Sequence, residues 1–317
     1  MDFSRKRIMA DMKNLQKNPE LKKCGIHVIF NDDNLYNAQA MIIGPEKTPY
    51  EKGFYFFDIN FPSDYPMNPP KVKFCTLDGR VRFNPNLYAC GKVCLSIIGT
   101  WSGPGWTSCL TLSTVLVSIQ SLLNENPITN EPGFEKEPIT GNTSKTYNDI
   151  IAYENIRVAV IKMFEHTPFL FIGFKDIMKQ YFVENIDFYE KFVDNHELLH
   201  NKVYSSRIYS MNGNYDINNL KKSLIRIKSS NVFDNIQIND NIQTQGNHTQ
   251  NTLESNNENA KKQKKTPNEN ANNFDIGIIV TSSNDLRDYV VKQMSFNKKD
   301  KNGELNKVEF KKWVLKK

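Results

Sequence analysis

The chain has little of what a secreted or membrane protein needs. Its five cysteines, Cys24, Cys75, Cys90, Cys94 and Cys109, are odd in number and show no Cys-x-x-Cys spacing, which argues against a disulfide scaffold and against a zinc ribbon. No apolar run approaches the roughly 18 residues of a membrane span, and the segment from Met1 to Gln16 is charged where a signal peptide would be apolar. A large charge imbalance is also missing. The formal net charge of +6 decides little between nucleic acid, an anionic surface and an acidic protein partner. The five histidines, His27, His166, His196, His200 and His248, lie away from the Cys90–Cys109 region, so no local Cys/His nucleophile pair is offered, although pairing in space stays open. We expect a soluble protein with reduced thiols, no metal site, no membrane span and no nucleic-acid partner. Its expected location is the cytoplasm, with the nucleus also open.

A chain of 317 residues can hold one principal core with extensions. Phe3, Ile8, Met9, Met12 and Leu15 recur at helical spacing between Asp2 and Asn18, beside Arg5, Lys6, Arg7 and Lys13, and predict a basic amphipathic first helix. Short apolar runs at Gly25–Phe30, Asn37–Ile43, Phe54–Phe61 and Lys71–Phe74 are separated by turn residues and predict four strands in a meander. The proline cluster from Phe61 to Pro70 can be neither helix nor central strand, because proline removes amide donors and restricts its predecessor. From Thr76 to Ser108 turn residues abound. Leu112, Val115, Leu116, Ile119, Leu122 and Leu123 then fall in helical register. A long irregular segment inside a compact domain is more often functional than idle, and this one holds Cys94. Tyr147–Glu165 and Phe174–Asn195 read as further amphipathic helices. Residues 211–273, rich in Asn, Gln, Ser and Lys, read as a low-complexity linker, and 274–317 as a small tail. The domains expected are therefore a core over 1–164, a helical extension over 165–210, the linker and the tail.

The stretches FPSDYPMNPPKVKF and NPNLYACGKVCLSI resemble the signature of ubiquitin-conjugating enzymes. A proline-rich loop, a Pro-Asn turn, a cysteine eight residues after Asn86, a Trp and a Leu-rich helix follow in the family's order. The wording Asn-Pro-Asn-Leu-Tyr, Gly-Lys-Val-Cys-Leu-Ser-Ile, Ser-Ile-Gln-Ser-Leu and Asn-Glu-Pro-Gly-Phe is similar to the large, Z-type subgroup. That resemblance implies an α+β ubiquitin-conjugating fold with an N-terminal helix, a four-stranded antiparallel meander, an active-site loop and C-terminal helices. It implies that Cys94 carries ubiquitin or a ubiquitin-like modifier as a thioester. A thiolate is a good acyl acceptor, and its thioester stays reactive toward amines. Asn86 stands at the position of an oxyanion donor, and would serve a turn equally well. Asn84, with Pro85, replaces the usual imidazole as organiser of the loop. Glu131, located from Pro132, is a candidate gate for the incoming lysine, against the plain reading of a solvated carboxylate.

The resemblance also implies partners: an activating enzyme at Arg5, Lys6 and Arg7, ubiquitin ligases at Pro66, Met67, Ser108 and Cys109, and protein substrates bearing lysine. Met67, in place of a common Phe, and Thr107-Ser108-Cys109, in place of Ser-Pro-Ala, depart from the pattern of standard ligase pairing. The segment Thr100–Gly105 reads as an insertion that shapes an acceptor surface. No cofactor and no ATP site are expected in this chain. The competing reading is a catalytically silent module that engages ubiquitin or a ligase, and the presence of Cys94 weighs against it. Near the end, Asp300–Leu305 with Glu309 has the Gly, Leu and closing Glu of a calcium loop, but Lys298 falls where the first acidic ligand belongs. Calcium binding is therefore not expected. Lys261–Lys265 has the composition of a nuclear-import signal and equally that of a solvated charge run, which is the reading taken.

Overall fold

A computed structural model describes residues 2–230. The lysine cluster 261–265, the calcium-loop-like segment and the tail lie outside the described residues. Helix α1 (Phe3–Lys17) starts where the Asp2 carboxylate accepts the Ser4 amide, and it buries Ile8 and Leu15 on one face. A short helix, α2 (Pro19–Lys23), leads into strands β1 (Ile26–Phe30), β2 (Asn37–Ile43), β3 (Phe54–Asn60) and β4 (Lys71–Phe74). These form one antiparallel sheet in the order β1-β2-β3-β4, with Met41 opposite Phe56 and Ile59 opposite Val72.

The centre of the sheet is apolar on both faces because both are covered. Successive strand residues point to opposite sides. Tyr55 and Phe57 meet Phe74, and Tyr55 also meets Phe83 edge-on at 5.5 Å, just ahead of the Asn-Pro-Asn turn. Phe54 and Phe56 face the other way. Phe56 stacks on Phe171 with ring centres 4.6 Å apart, and Phe54 meets Tyr181. Helix α3 (Leu112–Leu122), capped by the Thr111 hydroxyl, sinks Leu112, Val115, Leu116 and Ile119 into the same core.

Beyond the core, helix α4 (Asn142–Glu154) continues through wider π-type turns over Asn155–Lys162 into the short α5 (Met163–Glu165). At the junction, buried Asn155 accepts the Tyr55 hydroxyl at 2.6 Å and donates to the Glu51 carbonyl at 2.8 Å. The expected long helix over Phe174–Asn195 is two helices, α6 (Lys175–Glu184) and α7 (Ile186–Asn195), divided at Asn185. A hairpin of β5 (Val203–Ser206) and β6 (Met211–Asn214) follows, and then α8 (Ile217–Ser229).

The expected start of a linker at residue 211 is corrected over β6 and α8. Ile217, Leu220, Leu224 and Ile227 form one buried stripe of α8, joined to the main core. We expect Leu224→Ala to cost about 3 kcal/mol in denaturant unfolding, as a buried truncation. Ile225→Ala, on the exposed face, should stay within about 0.5 kcal/mol of the parent. Equal small effects would show that the helix does not contribute to the core. Among the described residues, no helix is long and apolar enough to cross a membrane.

Candidate active site

The site is built on a turn held by hydrogen bonds of the Asn84 side chain. Asn84 is fully buried, and its side-chain amide donates to the Tyr50 hydroxyl at 2.9 Å and to the Leu122 carbonyl at 2.7 Å. Its Oδ1 accepts the Asn86 amide at 2.9 Å. The Tyr50 hydroxyl, pushed up by burial, donates in turn to the Phe83 carbonyl at 2.7 Å. Leu122 lies in the last turn of α3, where carbonyls lack partners within the helix. The same carbonyl accepts Asn130 Nδ2 at 3.2 Å, so one helix end ties the Asn-Pro-Asn turn to the loop carrying Glu131.

Asn86 and Cys94 are bound to each other twice. Cys94 N donates to the Asn86 carbonyl at 2.8 Å, and Asn86 Nδ2 donates to the Cys94 carbonyl at 2.9 Å. Between them the chain makes a tight reversal, with Leu87 bridged to Val93. Gly91, at φ +91°, lies so close to β4 that a Cβ would sit 2.8 Å from the Phe74 carbonyl, so only glycine fits. Cys94 is 1 % exposed. Thr100, at the start of the expected insertion, accepts the Leu95 amide and donates to the Val93 carbonyl, which clasps the segment around the cysteine.

On the other side of the turn, Arg82 donates to the Pro85 carbonyl at 2.6 Å. Its guanidinium carbon lies 3.7 Å from the centre of the Tyr88 ring and 3.9 Å from that of Tyr209. Tyr209 belongs to the tip of the β5–β6 hairpin. Its hydroxyl donates to Glu131 Oε2. Burial and then the bond to Glu131 hold that hydroxyl well above the usual phenol range, so it is a donor at neutral pH.

Apart from Tyr209, these residues fall within a matched family model. Residues 7–152 match the model described as "Ubiquitin-conjugating enzyme". Residues 7–152 form a domain of the ubiquitin-conjugating enzyme family. The chain is 47% identical over 185 residues to "Ubiquitin-conjugating enzyme E2 Z" of Xenopus tropicalis, covering 58% of each chain. To the proteins of that name from Homo sapiens and Danio rerio it is 46% identical over 58% of its own length, and 51% and 55% of theirs. The chain thus spans a little over half the length of these relatives. The family's expected fold, a helix before a four-stranded antiparallel meander with helices after it, is the one observed.

The ubiquitin-conjugating domain brings Cys94, Asn84, Pro85 and Asn86 into one loop, with Glu131 reached through Leu122 and Asn130. Of the residues expected to face partners, Arg5, Lys6, Met67, Ser108 and Cys109 are exposed. Arg7 and Pro66 are committed within the chain. Arg7 Nη1 donates to the Ser108 carbonyl at 2.6 Å and Nε to Asp11 Oδ1 at 3.0 Å. Pro66 is buried, and its carbonyl accepts the Trp106 indole at 2.7 Å. Tyr50, Arg82, Tyr88 and Tyr209 were not among the sequence candidates. Arg82 and Tyr88 flank the motif closely enough to have been considered. Tyr209 carries no local signal at all.

Proposed function

We propose that this chain accepts ubiquitin, or a ubiquitin-like modifier, from an activating enzyme as a thioester on Cys94 and transfers it to a lysine amine, with a ligase choosing the substrate. The observation that carries the reading is the double bonding of Asn86 to Cys94, which keeps an amide donor beside the cysteine within a loop of the family's motif. In loading, the Cys94 thiolate attacks the modifier's C-terminal carbonyl carbon and the activating enzyme's thiol departs. In transfer, a neutral lysine amine attacks the same carbon. The C–N bond forms, the C–S bond breaks, and Cys94 leaves as thiolate.

Negative charge gathers on the carbonyl oxygen between those events, and a preplaced donor is worth most there. Asn86 Nδ2 carries two hydrogens, and the Cys94 carbonyl takes one. Glu131 is the proposed acceptor of the proton that the amine loses. Arg5 and Lys6 are the proposed contacts for the activating enzyme, and Met67, Ser108 and Cys109 those for ligases. The silent-module alternative gains no observation. Incubation with a panel of activating enzymes, ATP and tagged modifiers should give a reductant-sensitive band on nonreducing gels with at least one pair. Absence of a band with every pair would defeat the proposal.

A further inference from the structure

The segment that follows the family domain places a side chain in the site, and it does so at a conformational cost. Tyr209 (φ 59°, ψ 14°) and Ser210 (φ 51°) are consecutive non-glycine residues in left-handed backbone. Such residues are uncommon, and neighbours in that state persist only where surrounding structure holds them. Here the hairpin is held at its base. The Tyr204 hydroxyl donates to buried Glu154, and the Tyr153 hydroxyl donates to the Asn214 carbonyl at 3.4 Å and accepts the Asp216 amide at 2.9 Å. The Ser206 hydroxyl accepts the Ile208 amide at the turn. All of this fixes the tip that carries Tyr209.

Three contacts leave that tip, to Arg82, Tyr147 and Glu131, and the last is a residue of the proposed reaction. The ring covers Arg82, the residue bonded to the Pro85 carbonyl. It meets Tyr147 edge-on at 6.1 Å, and the Tyr147 hydroxyl donates to the Arg82 carbonyl at 3.0 Å. The hydroxyl holds Glu131 by one carboxylate oxygen, leaving Oε1 for a proton. A glutamate on a loop has three side-chain torsions to restrain, and one charge-assisted hydrogen bond from a rigid ring restrains them well. Likewise, a guanidinium with an aromatic ring on each side keeps its plane.

We propose that Tyr209 is a positioning residue for lysine attack, setting the Glu131 carboxylate through its hydroxyl and the Asn84-Pro85-Asn86 turn through Arg82. The inference rests on the transfer reaction proposed above. It makes the β5–β6 hairpin a working part of the site, so that a chain ending before Tyr209 would keep the motif and lose its alignment.

The two roles separate in two variants. Tyr209→Phe keeps the ring and removes the hydroxyl, and Tyr209→Leu removes both. In single-turnover chase of the loaded full chain into free lysine, Tyr209→Phe should slow discharge on the order of 10-fold, the scale of one hydrogen bond to a charged group. The loss should fall on discharge rather than loading. It should vanish in a Glu131→Gln background, because the hydroxyl acts through that carboxylate. Amide hydrogen exchange of residues 84–88 in the unloaded protein should rise about 10-fold in Tyr209→Leu, stay near the parent in Tyr209→Phe, and leave β1–β4 unchanged in both. Wild-type discharge by Tyr209→Phe, losses that multiply in the double variant, or unchanged exchange in Tyr209→Leu would each overturn the inference. A parent chain that never forms the thioester overturns the proposed function and this inference together. A parent that loads and discharges, matched by Tyr209→Phe, overturns this inference alone.

Discussion

Cys94→Ser should abolish the reductant-sensitive adduct and leave, at most, a slower-forming oxyester that survives thiol treatment. Serine keeps the size of the side chain and the two backbone bonds to Asn86, so the loop should stand while the nucleophile is lost. Cys90→Ser and Cys109→Ser should both retain the thioester. Both of these thiols are more exposed than Cys94, but neither shares a hydrogen bond with Asn86. Nonreducing gels of the three variants, run beside their thermal transitions, make the comparison. A reductant-sensitive adduct of normal yield on Cys94→Ser would assign the chemistry to another thiol.

Asn86→Ala is expected to separate loading from discharge. Loading draws on the position of the cysteine, and the bond from Cys94 N to the Asn86 carbonyl is made by backbone that alanine also supplies. Discharge to lysine should slow on the order of 10 to 1,000-fold, the range for loss of one oxyanion donor. The rival account treats Asn86 as a turn residue whose side chain only braces Cys94. On that account loading, discharge and thermal stability fall together. Single-turnover chase, loading rate and melting measured on one preparation decide between the two. Wild-type discharge would remove Asn86 from the mechanism.

What could be read in advance was what sequence writes locally. The meander was legible because apolar runs such as Phe54–Phe57 stand between clear turn signals, and the loop was legible because Pro85, Asn86 and Cys94 keep a fixed spacing. Asn84 was read from the same motif as an organiser of the loop, and its full burial is seen only in the structure. The bonds of Arg7 were not legible, because a charged residue on a basic helix looks solvated until its acceptors, the Ser108 carbonyl and Asp11, are seen. Helix α8 was hidden by averaging. Ile217, Leu220, Leu224 and Ile227 keep helical spacing, but they stand at the edge of an Asn-rich stretch that dominated the reading. Tyr209 could not have been found this way, since it meets Glu131 across 78 positions of chain and no motif marks either partner for the other.

Asp11 has a consequence for anyone who would rebuild this domain. The carboxylate is almost wholly buried and accepts from Arg7 on its own helix, from the Tyr65 hydroxyl in the proline loop and from the Leu112 amide at the head of α3. Arg7 then reaches the Ser108 carbonyl. The faces proposed for the activating enzyme and for ligases are therefore carved from one block, keyed by a single acid. Grafting either face from a relative calls for moving residues 7, 11, 65 and 108–112 as a set. A loop exchanged without its key would leave a buried charge with too few donors, at a cost that no gain at the surface would recover.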